Sequence, residues 1–140
     1  MSQTNVKTGP IVVPCGEDLS NATDHLVVLS NNAGEPQMLL PSAPDDLAAY
    51  LVLEGAGVGE DGSFQPLESS RNIRVPIVGS CNPGDTLILA YPAVEGQPGK
   101  VTVLPADPGT YRTVGIAEET GVDGQLLLIR PLSLATITIT

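Results

Sequence analysis

Turn-forming residues are spread along the whole chain and divide it into short segments. Fifteen glycines and 13 prolines make up about a fifth of the 140 residues, whereas these two types account for roughly 12% of an average protein. Because they are dispersed rather than clustered, they interrupt the chain at short intervals. Such frequent interruption is typical of a protein built from many short β-strands.

The first half of the chain contains three apolar segments that fit short strands. Residues 11–14 (IVVP) form a short apolar patch that ends in proline, and residues 26–29 (LVVL) form a continuous apolar run. Residues 37–41 (QMLLP) follow a turn and are a third strand candidate. Continuous apolar runs of this length are consistent with short buried strands.

The segment that follows is ambiguous. Ser42 or Asp45 could cap one helical turn over residues 46–49, but residues 50–53 (YLVL) again resemble a strand. Residues 58–70 are predicted to form a loop, with a tight turn at Glu-Asp-Gly.

The second half of the chain shows a clearer alternation. Ile73, Val75 and Ile77 alternate with Arg74 and Pro76, which makes one face of this strand apolar. Because proline has no N–H to donate to a neighbouring strand, Pro76 indicates a sheet edge or a bulge.

Turns separate the remaining strand candidates. In the sequence NPGD, Pro83 and Gly84 occupy the two positions where a type II turn favours these residues. The strands are predicted in the segments TLILAY (86–91), KVTVLP (100–105), YRTVGIAEE (111–119), QLLLIRPL (125–132) and LATITIT (134–140).

Together these elements predict an all-β fold, a small antiparallel β-barrel or sandwich of about nine short strands with at most one short helix. Residues 1–14 are expected to form an extended N-terminal arm and residues 15–140 a single β domain, in agreement with the chain length. Because aromatic residues make up only 3% of the chain, the core is expected to consist mainly of Val, Leu, Ile and Ala.

The charge of the chain restricts its partners. Sixteen acidic and six basic residues give a formal net charge of −10. Binding to nucleic acid needs several cations facing phosphates, and the cations here are dispersed: Lys7, Arg71, Arg74, Lys100, Arg112 and Arg130. No apolar run approaches the ~20 residues that cross a bilayer. We therefore expect neither nucleic acid nor a membrane as partner. The charge is interpreted as a source of solubility, with steering toward a basic partner surface as the alternative.

Few residues could supply catalytic or metal chemistry. Cys15 and Cys81 lack the spacing of metal ligands and are predicted to be two reduced thiols, although sequence alone does not judge a disulfide. The single histidine, His25, is interpreted as a surface residue at a strand end, and no GxSxG motif accompanies it. We therefore expect no enzyme active site, no metal and no cofactor.

Acidic pairs and a glycine-rich segment are the other candidates for chemistry. Asp45–Asp46, Glu60–Asp61 and Glu118–Glu119 lie at predicted turns or strand ends, where solvated carboxylates are ordinary, and no DxDxDG series of calcium ligands is present. The segment 54–62 is rich in glycine, but the Lys-Ser/Thr of a phosphate-binding loop does not follow it. Both patterns are interpreted as surface features.

The segment GTYRTVGIAEETGVDGQLLLIRPL, residues 109–132, predicts a pair of strands around a turn. Gly115 lies in the middle of a strand, which indicates a bulge or a close backbone approach. The turn ETGVDG offers two glycines for positive φ angles. Residues 126–129 are apolar without alternation, which predicts a strand buried on both faces. We interpret this hairpin as the closing strand pair of a barrel.

Three motifs in this half of the chain occur in a fixed order: VPIVGSCNPGDTLILA (75–90), PGKVTVLP (98–105) and YRTVGIAEETGVDGQLLLIRPL (111–132). On these motifs, residues 72–132 resemble a family of small phage head proteins, the capsid decoration or head-stabilising proteins. The likeness covers a little under half of the chain. The first 70 or so residues are longer than the family pattern and carry their own strands.

The resemblance implies a structural virion protein on the capsid exterior that binds the expanded shell and cements neighbouring major capsid subunits. It also implies assembly in the host cytoplasm and self-association, with a homotrimer as the first expectation and a dimer as an alternative. Capsid contacts are expected on the N-terminal arm and on two apolar edges. The residues expected at these contacts are Val6, Lys7, Ile11, Val12, Val13, Ile73, Arg74, Val75, Ile137 and Ile139.

Alternatives remain open at this stage. The last residues, ATITIT, could accept a strand from a neighbouring protein, or could close the sheet of their own domain. A receptor- or glycan-binding β module would display exposed aromatic or polar loops, and the presence of only four aromatic residues argues weakly against it. A small enzyme or ligand carrier would need an internal polar cavity, with His25 or Asp85 facing it.

Overall fold

A computed structural model of the protein describes residues 9–140, and within them it shows strands and turns but no helix. The all-β prediction is confirmed, with more strands than the nine expected. The strands are β1 (Ile11–Pro14), β2 (Leu26–Asn32), β3 (Glu35–Leu39), β4 (Tyr50–Glu54), β5 (Asp61–Pro66), β6 (Ile73–Val78), β7 (Thr86–Leu89), β8 (Val101–Val103), β9 (Gly109–Ala117), β10 (Leu126–Pro131) and β11 (Thr136–Ile139).

The first sheet contains β1 to β5 in the order β1-β5-β4-β2-β3, and all its strand pairs are antiparallel. The sheet curls so that its two edge strands, β1 and β3, come together. Cys15, which directly follows β1, forms an isolated parallel bridge with Met38 of β3. The inner face is filled by a cluster that includes Met38, Val52 and Phe64, all fully buried. The first sheet is therefore a small barrel-like layer with its own core.

The strand β5 was not expected, because residues 58–70 were predicted to form a loop. Its sequence, DGSFQP, contains one large apolar residue and four residues of turn-forming types, so it has no apolar alternation to recognise. Phe64 nevertheless reaches the core, and β5 pairs with both β1 and β4. Pairing with two neighbours outweighs the weak local preference of these residues.

The second sheet contains β6 to β11 in the order β10-β6-β8-β7-β9-β11, and β10 also pairs with β9. That additional pairing closes a ring of five strands, with β11 added at the outer part of β9. The pair β6–β8 is parallel, unlike the antiparallel arrangement expected throughout. The ring, β6–β10, spans the segment 72–132 on which the resemblance to phage head proteins rests.

The two sheets are packed against each other. The core cluster of the second sheet extends to Leu26, Ala48 and Leu51, which belong to the first half of the chain. The backbone N–H of Leu26 donates a 2.8 Å hydrogen bond to the carbonyl of Gly99. A Cβ at Gly99 would lie 2.7 Å from the Leu26 carbonyl oxygen, so a glycine is needed at this approach. The connection between β7 and β8 is thereby held against the first sheet.

The described part of the predicted N-terminal arm is not free. Residues 11–14 form β1, which pairs with β5 along its length. Val13 is only 5% exposed, because its side chain enters the core of the first sheet. The sheet thus begins before residue 15, where the domain boundary was expected.

The ambiguous segment after β3 is not helical. The carboxylate of Asp46 accepts hydrogen bonds from the backbone N–H groups of Ser42 and Ala43, at 2.8 and 3.1 Å. These bonds form a local turn in place of the helix cap that was considered. The chain then enters β4.

The β9–β10 hairpin differs from its prediction in two details. Gly124 has a positive φ of 84°, but Gly121 does not need one. In β10, Leu127 and Ile129 are buried whereas Leu126 is 42% exposed and Leu128 half-buried. The expectation of burial on both faces was therefore wrong for the described fold, because no layer formed by residues 9–140 fully covers the outer side of this strand.

Cys15 and Cys81 are free thiols, as predicted, and both are buried. Cys15 lies in the core of the first sheet and Cys81 in that of the second. Burial raises the pKa of both thiols.

Candidate binding surface

Eight of the ten residues that were expected to contact a capsid lie within the described part of the chain, and the structure disperses them. Val6 and Lys7 lie outside the described residues. Val13, Ile73 and Val75 are buried in the protein's own cores. The residues that remain at least partly accessible are Ile11, Val12, Arg74, Ile137 and Ile139.

The alternation of β6 was predicted correctly, but two of its three predicted contact residues, Ile73 and Val75, lie on the buried face, whereas Arg74 is exposed. Ile73 and Val75 are 8% and 0% exposed because the apolar face of β6 points into the ring. Arg74 and Pro76 point outward. Burial in the protein's own core prevents Ile73 and Val75 from contacting a partner.

An apolar surface lies on the outer side of β6 and β10. Leu126 stands opposite Pro76 and Leu128 opposite Arg74 in the antiparallel pair. Val78 continues the same face of β6 and is half-buried. We call the surface formed by Pro76, Val78, Leu126 and Leu128 the outer face. The outer face could have been found in the sequence from the unbroken run of apolar residues in β10. A strand with apolar side chains on both sides either is covered by a second layer or leaves one apolar side exposed.

Pro76 lies where β6 is paired on one side only. The parallel partner β8 meets β6 at Ile77 and Val78, so the register with β8 does not extend to Pro76. The expectation of an edge or bulge at Pro76 agrees with this arrangement. Because no strand pairs with β6 at Pro76 on the side of β8, the N–H that proline lacks is not needed for an inter-strand hydrogen bond there.

Charges at the border of the outer face are paired within the chain. Arg74 Nη1 lies 3.0 Å from Glu119 Oε1, and Arg130 Nε lies 3.2 Å from Glu118 Oε2. Arg74 also donates to the carbonyl of Leu126 at 3.0 Å. The acidic pair Glu118–Glu119, which was interpreted as solvated, is therefore engaged in ion pairs. These two pairs add no net charge at the border of the outer face, in a chain of net charge −10.

Glu119 is the centre of this network. Its Oε1 accepts hydrogen bonds from the backbone N–H of Leu128 at 3.0 Å and from the side chain of Gln125 at 3.2 Å, besides Arg74. The Leu128 N–H, aided by Arg74, holds the pKa of Glu119 below its ordinary value of 4.5. The charged form of Glu119 is thus favoured in the folded protein.

We expect the substitution Glu119→Gln to reduce the loss of stability on acidification. A carboxyl group with a lowered folded-state pKa stabilises the fold above its unfolded pKa, and this contribution is lost as the pH falls through the folded value. The pH window therefore opens near 4.5 and extends below it. Urea midpoints of both proteins, measured from about pH 7 down to about pH 3, check this difference. Parallel pH curves for the two proteins would contradict it.

A cleft adjoins the outer face at Val78. Its volume is about 230 Å³, and its walls come from the ends of β6 and β8 and from the connection between β7 and β8. The lining residues are Val78, Ala90, Tyr91, Val94, Gln97, Thr102, Val103 and Pro105. None of them is charged. The sequence analysis identified none of them as a site residue, because they are spread over residues 78–105 and share no motif or alternating pattern.

One wall of the cleft is supported by a pair of tyrosines. The rings of Tyr91 and Tyr111 meet edge to face, with centroids 6.2 Å apart and planes at 83°. Tyr91 OH donates to Tyr111 OH at 3.3 Å, and Tyr111 OH donates to the carbonyl of Asp107 at 2.9 Å. Tyr111 is 3% exposed, whereas Tyr91 is 42% exposed. The buried ring of Tyr111 therefore holds the accessible ring of Tyr91 in place.

The last strand closes its own sheet on one side. β11 pairs with β9, with Ile137 opposite Tyr111 and Ile139 opposite Gly109. This pairing agrees with the interpretation that ATITIT completes the protein's own sheet. Ile137 and Ile139 are half-buried while Thr136 and Thr138 are exposed.

His25 and Asp18 line one open cleft of about 210 Å³. His25 is half-buried before β2, and its Nδ1 lies 3.2 Å from the carbonyl of Thr23. Residues 9–140 contain no group of three or more His, Cys, Asp or Glu side chains placed to hold a metal ion. Over the same residues, no helix is long and apolar enough to cross a membrane.

The fold is shared with a protein of known structure. The crystal structure of the head fiber gp8.5 N base of bacteriophage phi29 matches 91% of this chain and 96% of its own, with a TM-score of 0.64 and 18% sequence identity. No protein-family model and no curated protein matches the sequence. At this identity the likeness shows a common fold, which includes both sheets because it covers nearly the whole of both chains.

Proposed function

We propose that this protein is a structural component of a phage head, which binds the outer surface of the shell and bridges neighbouring major capsid subunits. The observation that carries the proposal is the fold shared with a phage head fiber base over 91% of the chain. The motifs of residues 72–132, which resemble small phage head proteins, support it from the sequence side. The ring formed by β6–β10 is the part common to both likenesses.

The outer face is the surface best suited to such a contact. Leu126 is 42% exposed, and beside it Pro76, Val78 and Leu128 are only half-buried. The neighbouring arginines are already paired with Glu118 and Glu119. An apolar, neutral surface is cheaper to desolvate than the acidic remainder of the chain. It therefore replaces the predicted edges at Ile73 and Val75 as the proposed capsid contact.

The mechanism needs no chemical step. A protein that binds the mature shell, and not its precursor or its dissociated subunits, adds its binding free energy to the mature shell alone. A stable contact buries about 800 Å² on each partner, and the contribution is repeated at every site of the lattice. Repetition makes even a moderate affinity significant for the stability of the whole particle.

The test is a binding experiment on shells. Empty expanded shells would be assembled from the major capsid protein of the same phage and mixed with purified protein. We expect saturable binding and a rise in the melting temperature of the shell. Absence of saturable binding would refute the proposed function.

A pair of substitutions tests the outer face. Leu126→Asp places a charge on this surface and is expected to weaken shell binding about tenfold or more. Val58→Asp is the matched control, because Val58 is 69% exposed in the connection between β4 and β5, away from the outer face. Thermal melting of both variants would show that they fold. Equal affinity of the two variants would rule out the outer face as the contact.

A further inference from the structure

The two sheets contain the same five-stranded barrel. In the first barrel β1 pairs with β5, β5 with β4, β4 with β2 and β2 with β3, and a parallel bridge between Cys15 and Met38 closes it. In the second barrel, which is the ring, β6 pairs with β10, β10 with β9, β9 with β7 and β7 with β8. The parallel pair β6–β8 closes it. The strands β1 to β5 therefore correspond in order to β6 to β10.

The correspondence also holds for single residues. Gly59 and Gly124 lie in equivalent turns, with positive φ angles of 79° and 84°. Their backbone N–H groups donate to the carbonyls of Cys15 and Ile77, both at 2.8 Å. Equivalent cross-strand pairs are Ile11–Phe64 and Ile73–Ile129, Val52–Phe64 and Ala117–Ile129, and Leu29–Met38 and Leu89–Val101. A site in one barrel can therefore be compared directly with its counterpart in the other.

Glu54 of the first barrel is the counterpart of Glu119 in the second. The β4–β5 and β9–β10 connections are equally long between equivalent residue pairs, so each residue within them has one counterpart. In the second barrel, Arg74 Nη1 and Gln125 Nε2 donate to Glu119 Oε1 at 3.0 and 3.2 Å. The carboxylate of Glu119 is thus held by side-chain donors of its own chain.

Both of these donors are missing around Glu54. Val12 takes the position of Arg74 in the register of the first and fifth strands. Glu60 takes the position of Gln125, because each directly follows the glycine with positive φ. Glu54 therefore has an apolar and an acidic neighbour at the two positions from which Glu119 receives its donors.

Glu54 and Glu60 line one cleft with a third carboxylate. Its volume is about 400 Å³, and we call it the acidic cleft. The lining residues are Val12, Glu54, Gly55, Ala56, Glu60, Asp61, Gly62 and Ser63. Within residues 9–140, none of the three carboxylates forms an ion pair. Carboxylates that share a cleft repel one another, and a cation that enters it removes this repulsion.

The second barrel indicates which cation fits the acidic cleft. At the counterpart site the carboxylate is held by the guanidinium of Arg74. A guanidinium presents five N–H donors in one plane and can serve several carboxylate oxygens, whereas an ammonium group is a compact point charge. Val12 is 67% exposed and offers apolar surface to the methylene groups of an arginine. The net charge of −10 also attracts a basic partner surface.

We propose that the acidic cleft receives an arginine side chain of a shell subunit, whose guanidinium binds Glu54 as Arg74 binds Glu119 in the second barrel. The identity of the partner rests on the proposed function, whereas the guanidinium chemistry rests on the repeated barrel. The outer face lies on β6 and β10, and the acidic cleft lies beside the equivalent strands β1 and β5. One chain thus carries two separate contact surfaces, as a bridge between two subunits requires.

The acidic cleft is tested with two small cations of equal charge. Ethylguanidinium carries the planar donor group, and ethylammonium carries a point charge in its place. In NMR titrations at low ionic strength, we expect ethylguanidinium to shift the amide signals of Val12, Glu54 and Ser63 with a Kd of about 10 mM. Ethylammonium is expected to bind several-fold more weakly. Absence of saturable ethylguanidinium binding, or equal affinity for the two cations, would overturn the proposal.

Substitutions in the full chain locate the probe. Glu54→Gln removes one carboxylate and is expected to abolish the preference for ethylguanidinium. Glu35→Gln is the matched control, because Glu35 is an exposed carboxylate of β3 that does not line the acidic cleft, and it is expected to preserve the preference. Equal effects of these two variants would contradict the assignment to Glu54.

Val12→Arg tests the correspondence between the barrels. It supplies a guanidinium at the position of Arg74 and is expected to prevent binding of the probe. Leu47→Arg is its control, because Leu47 is 50% exposed and lies outside the acidic cleft. Lys7→Gln is measured beside them. If it strengthened binding of ethylguanidinium, the chain's own Lys7 would be the occupant and the proposal would be overturned.

Shell binding separates this inference from the proposed function. Failure of the unsubstituted protein to bind shells, with ethylguanidinium binding intact, refutes the function and leaves the guanidinium chemistry standing. Where shells are bound, we expect Glu54→Gln and Val12→Arg each to weaken that binding about tenfold. The controls Glu35→Gln and Leu47→Arg are expected to change it less than about twofold, and thermal melting shows that every variant is folded. Shell binding that neither Glu54→Gln nor Val12→Arg weakens would overturn the acidic cleft as a contact.

Discussion

Replacing Gly115 by alanine is expected to lower the free energy of unfolding by about 3 kcal/mol or more. A Cβ at this position would lie 2.0 Å from the carbonyl oxygen of Arg130 and 2.8 Å from its carbonyl carbon. Both atoms belong to the backbone of β10, so no side-chain rotation can relieve the overlap. The two strands would have to separate where their pairing closes the ring, at Pro131 opposite Gly115 and Arg130 opposite Ile116.

Urea unfolding followed by circular dichroism measures this effect. Gly9→Ala is the matched control, because a Cβ at Gly9 has no atom within 4 Å and the residue is exposed. We expect the control to change the unfolding free energy by less than about 0.5 kcal/mol. A Gly115→Ala protein as stable as the control would show that β9 and β10 do not approach as described.

Removing the side chain of Arg112 is expected to destabilise the protein by about 3 kcal/mol and to release β11. The guanidinium donates to the carbonyl of Asp45 at 2.7 Å through Nη2 and to that of Leu134 at 2.7 Å through Nη1. The backbone N–H of Arg112 also donates to the carbonyl of Pro44 at 3.0 Å. One residue of β9 thus ties the β3–β4 connection to the segment that leads into β11.

The release of β11 has a distinct readout. The backbone N–H of Thr113 donates to the carbonyl of Ala135 at 2.9 Å. This hydrogen bond between β9 and the segment that leads into β11 is retained in Arg112→Ala. Hydrogen exchange is expected to accelerate at Ile137 and Ile139 more than in the ring strands, because β9 is the one strand among residues 9–140 that pairs with β11.

Two further variants complete this test. Arg112→Lys is expected to recover only part of the stability, since an ammonium group cannot reproduce the planar fork that reaches two carbonyls. Arg71→Ala is the control for loss of an arginine, because its pair with Glu68 is long at 3.7 Å and exposed. We expect it to cost less than about 1 kcal/mol. Equal effects of Arg112→Ala and Arg71→Ala would contradict the anchoring role.

The proposed contact surface shows how far sequence patterns reach. The alternation of β6 correctly separated Ile73 and Val75 from Arg74, but whether its apolar face met a partner or a core depended on the five-stranded ring. The apolar run in β10 was recognised, yet the exposure of Leu126 depended on the absence of a layer over that side in the described fold. The cleft had no signal in the sequence, because its walls come from residues 78 to 105 folded onto each other.

Features that depend on neighbouring residues could be derived from the amino acids alone. The turn at Pro83–Gly84 and the positive φ of Gly124 follow from local backbone geometry, and the structure contains them. The glycine in the middle of β9 indicated a bulge or a close approach at Gly115, but its partner, the Arg130 backbone of β10, depends on strand pairing. The all-β class follows from the same turns, because they limit the length of every element.

Features that depend on distant pairing required the tertiary structure. Three pairings join segments whose own sequences allow other partners. They are the parallel pair β6–β8, the pair β9–β10 that closes the ring, and the pairing of β5 with β4. An apolar strand gains the same burial energy against a core or against another protein, so its pattern does not identify what covers it. Only the completed sheets show that Ile73 and Val75 are core residues while Pro76 and Leu126 remain accessible for binding.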